Sequence, residues 1–344
     1  MVSIATVREN NSAITGLYGS GLVAVFVGGT SGIGESTARA FIRSTQASRA
    51  YLIGRDQARA HQIIGELQQT NPDAQITFIK SDVSLLREVD KACQTIQQRE
   101  DKVNILFLSP GVGTMNGRDE TAEGLDKKLS LHYYARMRFI ANLLPQLQRA
   151  GDAPTATVTG ARPPLSRVVS VLEAGREAAL QLDDLALQTH YSLRNCAKHA
   201  IAMTSVSMEH LAAADPRVSF VHSFPGMVRT RLGRDFGLVT KCALAALVAL
   251  AKPWETPLEE SGERHLFAAT SLRFPSRGFV GDGGREVAQG SDGAAGSGFY
   301  RLDSTGETYR PSDLMQRYRA EGVRDLIWKH TLDTFAAVRG REED

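Results

Sequence analysis

The sequence predicts an α/β fold, a doubly wound parallel sheet with helices on both faces. Two observations carry that prediction. Strand and helix signals alternate through the first two thirds of the chain, beginning with the unbroken apolar run Leu22 to Val27, and a glycine cluster stands between that run and the first helix. A strand with no polar alternation is one buried on both faces, as in a parallel sheet. Strands alternating with helices build βαβ units.

The elements follow in order. Leu22 to Val27 (LVAVFV) is the first strand, and Glu35 to Arg43 the first helix of the sheet domain. Ala50 to Ile53 is the second strand, and Ala58 to Gln69 a helix stopped by Asn71-Pro72. Gln75 to Ile79 is the third strand, Leu85 to Glu100 a helix, and Val103 to Leu108 the fourth strand. A long helix is expected over Ala122 to Ala150, then a Gly-, Pro- and Thr-rich surface loop (GDAPTATVTGARPPL) and a strand at Ser166 to Val171. A second long helix spans Tyr191 to Ala213, and a strand runs from Val218 to Ser223 into Pro225-Gly226. Residues 231–275 read as apolar and helical, 281–298 as a glycine-rich loop, and 313–337 as an amphipathic helix. The expected organisation is one domain: an N-terminal segment 1–21, a dinucleotide-binding core 22–230, and a lid with C-terminal extension 231–344.

Lys plus Arg number 40 and Asp plus Glu 38, a net charge of +2 with no long run of one sign, which argues against a nucleic-acid surface or a polybasic membrane anchor. The three cysteines, Cys93, Cys196 and Cys242, have neither a CxxC nor a zinc spacing and read as ordinary thiols of a reducing compartment. Arg8 and Glu9 interrupt any signal-peptide core. The apolar run Cys242 to Ala251 is far shorter than the roughly 20 residues a bilayer requires. A cytoplasmic protein with no transmembrane segment is expected.

The cluster VGGTSGIG, Val27 to Gly34, places Gly28, Gly32 and Gly34 at the turn from first strand to first helix, with Thr30, Ser31 and Ile33 between them. There the chain must turn sharply, approach a pyrophosphate with its backbone, and aim a helix N-terminus at the phosphates. The pattern resembles the short-chain dehydrogenase/reductase family, whose fingerprint is TGxxxGIG; Val27 takes the place of the leading Thr. The resemblance extends over residues 22–230 and implies a Rossmann-type fold. Arg55, just after the second strand, stands where an NAD-preferring relative carries an acid, and a guanidinium there suits a 2'-phosphate, so NADP(H) is the expected cofactor. Asp82-Val83 match the family's adenine contact. Ser109-Pro110-Gly111 replace its Asn-Asn-Ala-Gly. Pro225, Gly226 and Thr230 match PGxVxT, which meets the nicotinamide end.

The same resemblance locates four catalytic positions, and three are altered. The family's Asn falls on His132, which could relay protons, or could be an interior histidine. Its Ser falls on Leu172, with Glu173 beside it as a polar candidate. Its Tyr and the Lys four residues on, whose charge lowers the phenol's pKa, have no intact copy. With Tyr191 as the tyrosine, Asn195 replaces the lysine and Arg194 or Lys198 must supply the charge. Counting back from Pro225-Gly226 instead puts Asn195 and His199 on the pair and leaves no phenol.

The overall pattern, with GGTSGIGESTARAF, THYSLRNCAKHAIAM and FVHSFPGMVRT, resembles reductases of fungal natural-product pathways and implies an NADP(H)-dependent oxidoreductase for a bulky hydrophobic ketone or alcohol. It also implies partners beyond that small-molecule substrate: a second copy paired through helix faces, or other enzymes of a pathway. Two alternatives stay open: a redox-neutral isomerase, cyclase or dehydratase on the same fold, and a catalytically silent NADP-binding protein.

Overall fold

The computed structural model describes residues 1–152, 162–230, 255–279 and 286–343. Its centre is a seven-stranded parallel sheet: β1 (Val23–Val27), β2 (Arg49–Gly54), β3 (Gln75–Lys80), β4 (Ile105–Leu108), β5 (Arg167–Val171), β6 (Ser219–Ser223) and β7 (Phe299–Leu302), in the spatial order β3-β2-β1-β4-β5-β6-β7. Every residue of β1, β4, β5 and β6 is buried; β1 and β4 are apolar throughout, β5 and β6 also bury Arg167, Ser170, Ser219, His222 and Ser223, and β3 at one edge is mostly half-buried. The reversal of strand order between β1 and β4 is the switch point at which such sheets bind ligands.

Two short helices, α1 (Ile4–Ser12) and α2 (Ile14–Tyr18), precede the sheet. They are followed by α3 (Gly32–Ser44), α4 (Gln57–Thr70) and α5 (Leu86–Gln97). Asp56 caps α4 by accepting from the Arg59 amide at 2.9 Å. The start of α5 is capped from a distance: the Glu123 carboxylate accepts from the Leu86 and Arg87 amides at 2.7 and 3.0 Å.

That use of Glu123 explains why the expected helix over 122–150 starts late. Asp126 accepts from the Lys128 and Leu129 amides, both at 3.0 Å, and opens a single turn, α6 (Lys127–Leu129). A π turn, Ser130–Tyr134, follows, and only then α7 (Ala135–Gly151). The next long helix, α8 (Leu193–Ala214), also begins later than expected. The Ser192 hydroxyl is its cap, accepting from the Asn195 amide at 3.0 Å, so Tyr191 lies before the helix and not on it.

The C-terminal third adds α9 (Leu258–Thr270), which packs on α3, the strand β7, which the sequence does not predict, and the helices α10 (Asp313–Ala320) and α11 (Val323–Glu343). The expected single helix 313–337 is broken at Gly322, whose φ of +70° suits glycine. The helix α11 lies along α8: His330 meets the Tyr134 hydroxyl at 2.8 Å, Thr331 the Tyr133 hydroxyl, and the Phe335 ring lies under the Arg138 guanidinium at 4.9 Å. Among the described residues no helix is long and apolar enough to cross a membrane; the run 242–251 and most of the expected lid lie outside them.

A buried polar network ties β7 to the rest. Arg301 pairs with Glu177 at 2.8 Å, the Ser205 hydroxyl donates to Glu177 at 2.7 Å, and the same hydroxyl meets His222 Nδ1 at 2.7 Å. Three desolvated histidines make stability depend on pH. Burial holds His222 and His132 down to about 3 and His265 to about 4, against 6.5 for a free imidazole. The unfolded chain therefore binds protons that the fold excludes, and the stability these groups contribute is full above about 6.5 and lost as pH falls toward 4. Each removes up to about 1.4 kcal/mol per pH unit in that window. Urea titrations at pH 7 and pH 5 are expected to show the loss; equal midpoints would contradict it.

Candidate functional site

A cleft of about 470 Å³ opens along the carboxyl ends of β1 to β6. At its centre the chain leaves β1 through Gly28, φ +82°, and enters α3 through Gly32, φ +59°. A side chain at Gly28 would press on Ser109 Oγ at 3.0 Å, and one at Gly34 would meet the Gly28 carbonyl oxygen at 2.4 Å. Ser31, at the cap position of α3, makes no capping bond, so the first amides of the helix are left for a ligand. The side chain of Thr230 stands 3.4 Å from the Cβ position of Gly32, so the loop after β6 closes over the glycine turn.

The cleft gathers Gly28, Thr30, Ser31, Gly32, Ile33, Arg55, Asp82, Val83, Ser109, Gly111, Pro225, Gly226 and Thr230. Gly34 alone of the expected cofactor set stands behind it, as the contact between α3 and β1. Arg55 is exposed at the end of β2, with no hydrogen bond or ion pair among the described residues. Its neighbour Arg59 is engaged with Glu35 at 2.7 Å. Asp82 also holds its own turn, accepting from the Ser84 hydroxyl at 2.8 Å. These residues fit a dinucleotide: a glycine cradle and free helix amides for phosphates, and an unpaired cation at the end of β2.

Of the catalytic candidates, His132 and Glu173 line the cleft; Tyr191, Arg194 and Lys198 do not. Tyr191 packs against the core next to Asp126 and Cys196, with Lys128 Nζ 5.5 Å from its ring centre. Burial first, then Cys196 and Asp126, push its phenol up from the ordinary value, the opposite of what a general acid or base at neutral pH needs. Lys128 itself is spent on the Asn116 and Gly117 carbonyls at 3.2 and 2.9 Å. The second register fares no better. Asn195 donates to the His190 carbonyl at 2.9 Å, and His199 is held between the Gln181 amide and the Leu185 carbonyl. The positions of α8 that reach the cleft are Ala197, Ala200 and Ile201, and the pair four residues apart, Ala197 and Ile201, is apolar. Tyr191→Phe is therefore expected to change stability by less than about 1 kcal/mol and to leave nucleotide affinity within about twofold. A thermal melt and a nucleotide titration test this, and a tenfold loss of affinity would return Tyr191 to the site.

His132 sits in the π turn, a feature frequent at functional sites, and its Nε2 accepts from the Val112 amide at 3.1 Å. Burial, reinforced by the charge of Arg136, keeps the ring neutral. Arg136 was missed in the sequence. It is 1% exposed and lines the cleft, donating to Pro110, Ser170 and Val171 and so joining the ends of β4 and β5. Its only signal is a spacing of four residues from His132.

A sequence model described as short chain dehydrogenase matches residues 22–159. The chain is 43% identical over 338 residues to the oxidoreductase AN1596 of Emericella nidulans, covering 96% of this chain and 97% of that one. It is 38% identical to the oxidoreductase andH of Emericella variicolor, over 100% and 99% of the two chains. Among solved structures, the NADPH-bound carbonyl reductase from chicken fatty liver shares the fold with a TM-score of 0.55 at 16% identity, covering 85% of this chain and 99% of the other. With the parallel sheet, the glycine turn and the cleft at its switch point, these likenesses establish that the chain belongs to the short-chain dehydrogenase/reductase family of oxidoreductases.

Proposed function

We propose that the protein is an NADP(H)-dependent oxidoreductase acting on a bulky, apolar ketone or alcohol of natural-product metabolism, with residues 22–230 as the cofactor core and 231–344 as lid and extension. The observation that carries this reading is the continuity of one cleft, from the glycine cradle and Arg55 to a wall of Leu172, Ala197, Ile201, Phe224 and Val228. When bound, the nicotinamide supplies or accepts a hydride. Arg55 pairs with the 2'-phosphate, Asp82 and Val83 flank the adenine, the turn from Gly28 to Gly32 and the α3 amides take the pyrophosphate, and Pro225, Gly226 and Thr230 close over the ring end. Of the two polar candidates that line the cleft, Glu173 is the one left to handle a proton, since the α8 face is apolar and His132 is held down to about 3 with its Nε2 accepting from the Val112 amide.

The test is incubation with NADPH and polycyclic or polyketide-derived ketones, following loss of the reduced cofactor against product. Stoichiometric oxidation supports the reading; failure to bind either nicotinamide dinucleotide defeats it. Arg55→Asp is expected to weaken NADPH binding by roughly ten- to a hundredfold, the loss of one charge-assisted contact, while NADH binding holds or improves. Equal losses for both cofactors would remove Arg55 from the 2'-phosphate.

A second reading, a redox-neutral isomerase, cyclase or dehydratase, is favoured by one observation: the α8 positions that line the cleft, Ala197, Ala200 and Ile201, and Leu172 at the position expected for the serine, carry no polar side chain. Product at unchanged redox level with no cofactor consumed would select it.

A further inference from the structure

Strand order assigns the two ends of the cleft. Arg55 and Asp82 stand at the ends of β2 and β3, the glycine turn at β1, and Pro110, Val171 and Phe224 at the ends of β4, β5 and β6. A dinucleotide laid across the glycine turn with its phosphorylated ribose at Arg55 directs its other half to the β4–β5 end. Arg136 is the charge built into that end.

Its hydrogen bonds are unusual for a buried guanidinium. Nη1 donates to Ser170 Oγ at 2.7 Å and to the Val171 carbonyl at 2.8 Å, Nη2 to the Pro110 carbonyl at 2.6 Å, and Nε to the Leu131 carbonyl at 3.3 Å. All four acceptors are neutral, and among the described residues Arg136 makes no ion pair. Burial pulls it down to about 9, which still leaves a cation at neutral pH. A guanidinium has five N–H groups, so one on Nη2 is uncommitted. The nearby charges do not neutralise it. His132 is neutral, the Asp126 carboxylate is paired with Lys128 at 3.7 Å, and the Glu173 side chain is 46% exposed and faces Arg176 at 3.8 Å. A buried charge without a partner is costly to the fold, and the cost is characteristic of a group that acts on a ligand.

We propose that Arg136 sets the redox preference of the bound nicotinamide, a proposal that rests on the reading of this cleft as a nicotinamide site. The oxidised ring carries a positive charge and the dihydro ring none, so an unscreened guanidinium at that end repels the first and accepts the second. The protein then holds NADPH more tightly than NADP⁺, and the bound couple is displaced toward the form that retains its hydride.

Calorimetric titrations with NADPH and with NADP⁺ separately, on the wild type, Arg136→Lys and Arg136→Met, test it. The wild type is expected to prefer NADPH by about tenfold or more, the size of one charge repulsion at partly screened range. Arg136→Lys keeps most of that preference, and Arg136→Met brings the ratio near unity, chiefly by tighter NADP⁺ binding. Equal wild-type affinities overturn the proposal, as does an Arg136→Met variant that loses affinity for both forms alike, the signature of a purely structural role. If Arg136→Met does not fold, the wild-type ratio and its retention in Arg136→Lys decide. Binding of neither form overturns the proposal together with the reading beneath it, and is distinct from equal binding of both.

Discussion

Gly34→Val is expected to abolish dinucleotide binding and to lower stability by roughly 3 kcal/mol or more, at the upper end of what overpacking a tight contact costs. Gly34 does not line the cleft, so the effect is indirect. A Cβ there would lie 2.4 Å from the Gly28 carbonyl oxygen, 2.5 Å from Ser109 Oγ and 2.9 Å from the Gly28 carbonyl carbon. Two of these atoms are backbone, in a turn whose φ only glycine adopts readily, so the strain is relieved only by moving α3 away from β1. That movement carries the helix amides and the glycine turn out of register with each other. Thermal melts and a nucleotide titration read both effects, and a folded variant with wild-type affinity would show that the α3–β1 contact does not set the site.

Glu177→Gln is expected to cost about 3–5 kcal/mol, the range for breaking a buried pair from one side. The Glu177 and Arg301 side chains are 2% and 3% exposed. The substitution leaves Arg301 with a carbonyl, that of Arg310, and no counter-charge, and it disturbs the Ser205 hydroxyl that bridges Glu177 to His222. Burial opposes the charge of Glu177, but Arg301 and then His222 and Ser205 outweigh it and hold the carboxyl below its ordinary value. Its contribution is thus present above the unfolded carboxylate value of about 4.3 and lost as pH falls through the lower folded one, a loss that begins at the acid end of the histidine window. Replacing both partners with apolar residues is expected to recover much of the loss. Denaturant titrations at neutral pH supply the numbers, and a cost under about 1 kcal/mol would mean that the pair is not desolvated.

Of the six strands that border the cleft, β1, β2 and β4 were legible because a strand buried on both faces leaves an apolar run, β3 because its residues alternate, and β5 and β6 because short apolar stretches follow helices; the glycine turn was legible because its spacing and place between strand and helix reinforce each other. The seventh strand was not. Four residues after a glycine-rich stretch offer no periodicity, and only pairing with β6 makes Phe299 to Leu302 a strand. The helix start at Tyr191 differs for another reason. The search for a tyrosine at the family's position outweighed a capping signal in the same residues, Ser192 with Asn195 three residues on, which starts the helix after the tyrosine and turns Ala197 and Ile201 to the cleft. Arg136 could not be read at all, because its surroundings exist only once β4 and β5 lie side by side.

The position of β7 and α11 late in the chain has a consequence for synthesis. Residues 299–343 leave the ribosome after the rest of the sheet, so β6 waits with an open edge and the Tyr134 hydroxyl waits for His330 until they arrive. A nascent chain at that stage presents a strand edge and an uncovered helix face to its neighbours. Yield of native protein should therefore respond to translation speed, chaperone supply and cuts within the last helix more sharply than to any change in the first twenty residues.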